Sequence, residues 1–228
     1  MKTALSLTAS LFLLSACTAK EAPPATDTTA AATAAEADPD RAVSGGGLPA
    51  GYTARTDRPD GQISQASYKT SGNMWEVSTG PAHVMYSAKD TASGSYTAST
   101  TVEQLAKPTH PEAYGLILGG RDLDQPTQTY TYFLVRGTGE MMVRVREGDQ
   151  TRDVLKWTAN ADIPKEDGSG KATYALAASV TNDAVKFSVN GKQVGSVSKA
   201  GLPTDGIVGL RINHNLNVRV SPVSIQKP

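Results

Sequence analysis

Alternation with a period of two is the clearest pattern in this chain. Between 128 and 136, Tyr130, Tyr132, Leu134 and Arg136 alternate with Thr131, Phe133 and Val135, as in a β-strand. Gly137-Thr138-Gly139 breaks the run. Met141, Val143 and Val145 then alternate with Met142, Arg144 and Arg146. A three-residue loop closed by glycine suits a type I turn followed by a left-handed residue, which predicts a bulged hairpin. A second hairpin is predicted around Asn190-Gly191: Val185, Phe187 and Val189 alternate with Lys186 and Ser188 before it. Both central residues of a type I′ turn need positive φ, which Asn and Gly tolerate best.

The same reading gives strands at 63–69, 73–78, 83–87, 94–104, 113–120, 128–136, 140–147, 151–157, 171–180, 184–190, 193–198, 206–212 and 215–220. No segment carries a convincing helical period, and no βαβ rhythm appears. Short strands joined by polar turns imply an all-β, antiparallel architecture. The expected fold is a jelly-roll β-sandwich, with an up-and-down barrel as the alternative. The chain has 21 glycines and 13 prolines, as turn-rich β-proteins do. Its 22 basic residues balance 22 acidic ones, so the electrostatic footprint of a nucleic-acid binder is missing. With Cys17 as the single cysteine, neither an intramolecular disulfide nor a cysteine-based zinc cage can form.

The N-terminal end reads as an export signal (1–16), with Lys2 ahead of a short apolar run. That run is well below the roughly 20 residues a helix needs to span a bilayer. It ends in Leu14-Ser15-Ala16-Cys17, which resembles the lipobox of bacterial lipoproteins. The resemblance implies that Cys17 is acylated and becomes the first mature residue, giving a membrane partner through the lipid. Thr18 in place of an aspartate implies the outer membrane of a bacterial envelope, facing the periplasm or the surface. Residues 17–47, rich in Ala, Thr and Pro, are expected to form a disordered tether. Residues 48–228 are expected to form the sandwich domain.

Several segments, in order, are similar to those of concanavalin A-like lectin/glucanase domains. They are SGSYTASTTVEQL, AYGLILGGRDLD, TYTYFLVRGTGEMMVRVREGD, VKFSVNGKQVGSV and GIVGLRINHNLNVRV. The similarity is to the bacterial branch with laminin-G-like modules and the 3-keto-disaccharide hydrolase domain. It implies a curved sandwich whose concave face holds glycans.

If 137–139 is a three-residue loop, Tyr132 lies opposite Arg144 and Tyr130 opposite Arg146, with Arg136 on the same side. Arg211 and Asn213 project together from the strand at 206–212. Tyrosine faces stack on sugar C–H surfaces and arginine forks bind hydroxyls or carboxylates, so this ladder is a candidate saccharide floor. The competing arrangement pairs those arginines with Glu147, Asp149, Asp153 or backbone carbonyls. Trp75 is expected in the core; Trp157 is either core or a stacking platform. Asp122 and Asp124 form a D-x-D loop, too few ligands to define a calcium site, and no cofactor is expected. His83, His110 and His214 share no metal-binding spacing. His214 matches the place where keto-disaccharide hydrolase relatives often carry a histidine, and Glu112 or Asp122 would be its carboxylate partner.

The E-x-D-x-x-E motif of laminarinase-type enzymes is absent; Glu147-Gly148-Asp149-Gln150-Thr151-Arg152 lacks the last carboxylate. No G-x-S-x-G appears either. The leading expectation is a lipid-anchored, non-catalytic saccharide-binding module. A hydrolase acting on a modified sugar and an envelope protein-interaction module are the alternatives. An open aromatic-basic groove points to the first, a pocket joining carboxylates to a histidine to the second, and a filled face to the third.

Overall fold

The computed structural model describes residues 39–58 and 61–228. The export signal, Cys17 and the tether as far as residue 38 lie outside them. Fifteen strands follow in order. They are β1 (Thr53–Thr56), β2 (Ala66–Ser71), β3 (Met74–Thr79), β4 (His83–Ala92), β5 (Tyr96–Gln104), β6 (Ala113–Arg121), β7 (Thr129–Arg136) and β8 (Glu140–Glu147). Then come β9 (Gln150–Ala159), β10 (Ala172–Val180), β11 (Ala184–Val189), β12 (Lys192–Ser198), β13 (Gly206–Ile212), β14 (Asn217–Val220) and β15 (Ser224–Gln226). The one helical turn among the described residues is the 3₁₀ turn Ile63–Gln65, where the sequence pattern predicts the start of a strand.

The strands form two sheets. One runs β1-β4-β13-β6-β7-β8-β9, and the other β12-β11-β10-β5-β14-β3-β2 with β15 beside β5. All ladders between these strands are antiparallel. The chain is therefore the expected all-β jelly-roll sandwich.

Both predicted hairpins form. The Gly139 amide donates to the Arg136 carbonyl at 3.0 Å, and Gly139 sits at φ 85°, so Arg136 pairs with Glu140. Asn190 and Gly191 take φ 50° and 80°, and Asn190 Oδ1 accepts from the Ala175 amide at 2.8 Å.

Between the sheets lie Leu116, Leu118, Val135, Val143, Leu176, Val185 and Val189, all essentially inaccessible. Phe133 meets Phe187 across the layer at 4.8 Å between ring centres, and Tyr114 meets Tyr174 at 5.9 Å. The buried phenols keep their hydrogen bonds: Tyr114 donates to Gln104 Oε1 and Tyr174 to the Pro164 carbonyl. On β5 and β10 burial alternates, so the outer face of that sheet is at least partly open to water. On β6 and β7 nearly every residue is buried on both sides. The outer face of the β7 sheet is thus covered, and that decides where a ligand can sit.

Candidate functional site

The Tyr–Arg ladder has the expected register: Tyr130 pairs with Arg146, Tyr132 with Arg144, and Arg136 with Glu140. Its surroundings differ from the expectation. Tyr130 and Tyr132 are only 1% and 3% exposed, so neither ring offers an open face for stacking. They pack in a second apolar cluster with Val84, Tyr86, Ile117, Leu134 and Met142, which Leu123 joins from the β6–β7 loop. The arginines are also engaged. Arg136 bonds Glu140 at 2.7 Å and lies over the Trp157 ring at 4.2 Å. Arg144 pairs with Asp153, and Arg146 Nε donates to the Gly148 carbonyl at 2.6 Å. The outward positions of β6 and β7 are largely apolar and buried, so the aromatic rings serve packing.

Arg211 is the exception to the surface pattern, 8% exposed at the end of β13. Its guanidinium lies 5.0 Å over the Tyr132 ring and forks onto both carboxylate oxygens of Asp57, which follows β1. Burial alone would push the Asp57 carboxyl up and the Arg211 guanidinium down. Their mutual attraction outweighs it, leaving Asp57 below and Arg211 above their ordinary values.

Beside this pair is a cavity of about 320 Å³, where β1, β4, β6 and β13 begin or end together. The backbone ties these ends: Asp57 N donates to Ala82 O, Asn213 N to Ala113 O, and Asn215 N to Gly80 O. The walls are Asp40, Asp57, Arg58, Pro81, Glu112, Arg211, Asn213 and His214. His214 stands between two carboxylates, Nε2 at 2.7 Å from Glu112 and Nδ1 at 3.1 Å from Asp40. Asn213 Nδ2 donates to the other Glu112 oxygen at 3.1 Å. Two buried polar atoms here have no hydrogen-bond partner within the protein: the donor Arg211 Nε and the acceptor Asn213 Oδ1. The cavity thus sets a carboxamide and a guanidinium beside an imidazole held by carboxylates.

No family model matches the chain, and no curated protein is similar to it. Solved structures do resemble it. A carbohydrate-binding module of the CBM66 type from Bacillus subtilis aligns at 12% identity and a TM-score of 0.57, over 78% of this chain and 96% of that one. A Bacillus subtilis protein of unknown function with a galectin-like fold aligns at 12% identity and 0.54, over 77% and 88%. The chain shares the jelly-roll sandwich fold of these two proteins. At this identity the likeness is one of fold.

Within that jelly roll the other candidates scatter. Trp75 packs against the core and meets Tyr52 edge-on at 4.6 Å, and Trp157 lies against the outer cluster under Arg136. Asp122 and Asp124 are exposed; Asp122 takes φ 50°, and its carbonyl accepts from the Gln125 amide. Among the described residues no group of three or more His, Cys, Asp or Glu side chains is placed to hold a metal ion. His110 is exposed on the β5–β6 loop, while His83 is buried beneath the cavity region. Of the predicted residues, the cavity gathers Arg211, Asn213, His214 and Glu112. Sequence reasoning missed Asp57 and Asp40. The charge-dense run Arg55-Thr56-Asp57-Arg58 was a signal for Asp57; Asp40 lay in a low-complexity stretch and carried none.

Proposed function

We propose that this chain is a saccharide-binding jelly-roll module, and that its ligand enters the cavity between Glu112, Arg211, Asn213 and His214. The observation that carries the reading is the polar lining of the cavity, where Asn213, His214 and the carboxylates of Asp40 and Glu112 stand together on the walls. Such a wall offers both donors and acceptors, and a sugar hydroxyl both accepts and donates. The fold shared with a carbohydrate-binding module supports the same reading. Three carboxylates line the cavity against two arginines, one already neutralised by Asp57, which favours a neutral sugar over an acidic one. With Cys17 as a lipid anchor, the module would be held at the bacterial outer membrane.

The test is a glycan array on the full chain, followed by calorimetry with each oligosaccharide retained. Asn213→Ala is expected to weaken binding about tenfold, the worth of one hydrogen bond to a buried group. Silence across the array from a folded protein, or binding that ignores Asn213→Ala, rejects the proposal.

A second reading is supported by one observation, the convergence of Asp40 and Glu112 on His214. A carboxylate-held imidazole can move a proton at the sugar bound beside it, which is what a sugar-processing enzyme needs. Incubating the retained oligosaccharides with the wild type and with His214→Gln, then analysing products by mass spectrometry, separates the two. Product from the wild type alone establishes catalysis.

A further inference from the structure

Residues 39–41 fall in the segment expected to be free tether, yet they are bonded to the sandwich beside the cavity. Asp40 lines it and bonds His214. Arg41 fixes the segment to the sandwich: its Nε donates to the Thr79 carbonyl at 3.0 Å, and its Nη2 to the Leu216 carbonyl at 2.6 Å and Asn217 Oδ1 at 2.8 Å. Asn215 grips the backbone on either side of Asp40. Its Oδ1 accepts from the Arg41 amide at 2.7 Å, and its Nδ2 donates to the Pro39 carbonyl at 3.0 Å. Asn215 takes a left-handed φ of 56°, a conformation asparagine tolerates better than most residues. Further on, Gly46 bridges to β2 through the Ala66 carbonyl and the Tyr68 amide.

One three-residue turn therefore serves both features. Asn213 supplies the unpartnered acceptor, His214 joins Asp40 to Glu112, and Asn215 clamps the segment. The segment itself buries little. Asp40 and residues 44–47 are exposed, and the attachment is made by hydrogen bonds rather than apolar packing. Elements held in that way open locally at low cost while the rest of the fold stays closed.

We propose that Pro39–Arg41 is a latch on the binding cavity: Asp40 is a ligand-site residue, Arg41 is its anchor, and docking of the segment and binding of saccharide strengthen each other. The coupling is reciprocal, because whatever stabilises the docked segment raises affinity, and a bound sugar raises the docked population by the same factor. This inference rests on the saccharide reading for its ligand, but the latch has a readout that needs no sugar.

The experiment compares the full chain with its Arg41→Ala and Asp40→Asn variants, each checked for the wild-type circular dichroism spectrum. Diethyl pyrocarbonate labels accessible histidines, and mass spectrometry assigns the sites. Exposed His110 and buried His83 are internal references. Undocking in Arg41→Ala is expected to speed labelling of His214 at least about fivefold, leaving His110 unchanged. In parallel, calorimetry with cellotriose, xylotriose and maltotriose is expected to show a matching loss of affinity in Arg41→Ala, about fivefold or more for whichever trisaccharide the wild type binds. Asp40→Asn, which keeps the Arg41 anchor, is expected to weaken binding while labelling of His214 rises less. Unchanged His214 labelling in Arg41→Ala overturns the latch. Faster labelling with unchanged trisaccharide affinity overturns the coupling. Faster labelling with no trisaccharide bound by any chain upholds the latch as a gate on His214 and counts against the saccharide reading.

Discussion

His83 gives a quantitative test of how the cavity end is built. It is fully buried at the start of β4, between Tyr68 and the Pro81 carbonyl. A carbonyl only accepts, so Nδ1 carries the proton toward Pro81 at 3.2 Å, and Nε2 accepts from the Tyr68 hydroxyl at 2.8 Å. A neutral ring satisfies both contacts without a buried charge. Burial is the main reason its pKa falls from 6.5 to about 4, and the nearby Arg211 guanidinium adds to it; the Pro81 bond and the Asp57 charge oppose the fall without reversing it. The sign follows from proton uptake. As pH drops below 6.5 the unfolded chain binds a proton at His83 and the folded chain does not, until about 4. Stability is therefore full at neutral pH and declines as pH falls through that window. The loss between pH 7 and pH 5 is about 2 kcal/mol, rising to about 3 kcal/mol near pH 4. Asp57, whose pKa is lowered, loses its contribution only below its ordinary 3.8, outside the interval from pH 7 to 5.

Urea unfolding at pH 7, 6 and 5 measures this directly, with His83→Gln as the non-titrating comparison. The variant starts less stable but should lack the wild type's extra loss of about 2 kcal/mol over the interval. Proton NMR of the His83 ring should show it neutral at pH 5. If wild type and His83→Gln lose stability in parallel, or the His83 resonance titrates near 6.5, the argument from burial is wrong.

Other substitutions test the remaining structure. Phe187→Ala removes a fully buried ring stacked on Phe133, and should cost about 3–5 kcal/mol in urea unfolding. Asn190→Ala keeps no side chain to meet the Ala175 amide and forces alanine to positive φ; a loss of about 1–2 kcal/mol is expected by the same measurement. Arg211→Met strands the Asp57 carboxylate in a mostly buried site and should cost about 3 kcal/mol, whereas Arg211→Met with Asp57→Leu should recover most of that loss while sugar binding stays abolished, read by thermal melting and calorimetry.

The fold was legible because its signals are local. Asn190-Gly191 and Gly137-Thr138-Gly139 dictate turn type, turn type dictates register, and the Tyr132–Arg144 pairing follows from it. Strand β1 was missed because TART is short, polar and at a sheet edge, and β15 because SIQ is three residues long. The ladder's exposure was misjudged for a non-local reason. Period-two alternation says which residues share a face, but not whether another segment covers it. Leu123, from the β6–β7 loop, joins the outer cluster here. A hint lay in the outward set itself, since Ile117, Leu134 and Met142 are apolar where a solvated face would be polar. Asp40 reaches His214 across 174 positions of sequence, and no pattern within a window could pair them.

That covering also explains why the cavity sits at the sheet's end. Over the middle of β6 and β7 the outer face is buried under its own side chains, so an open groove across those strands has no floor. Arg211 reaches from the sealed region to its rim, with its ring contact on Tyr132 and its fork on Asp57. A buried ion pair is weak evidence for stability, because apolar residues of similar volume commonly pack there as well or better. Keeping one, and leaving its Nε and the neighbouring Asn213 Oδ1 without protein partners, is a departure from what folding alone would select. Sequences that agree with their fold at every other level tend to break the rules where they act on something else. In this chain a buried ion pair, two unpartnered polar atoms and a carboxylate-held imidazole come together at the rim where Arg211, Asn213, His214 and Glu112 meet.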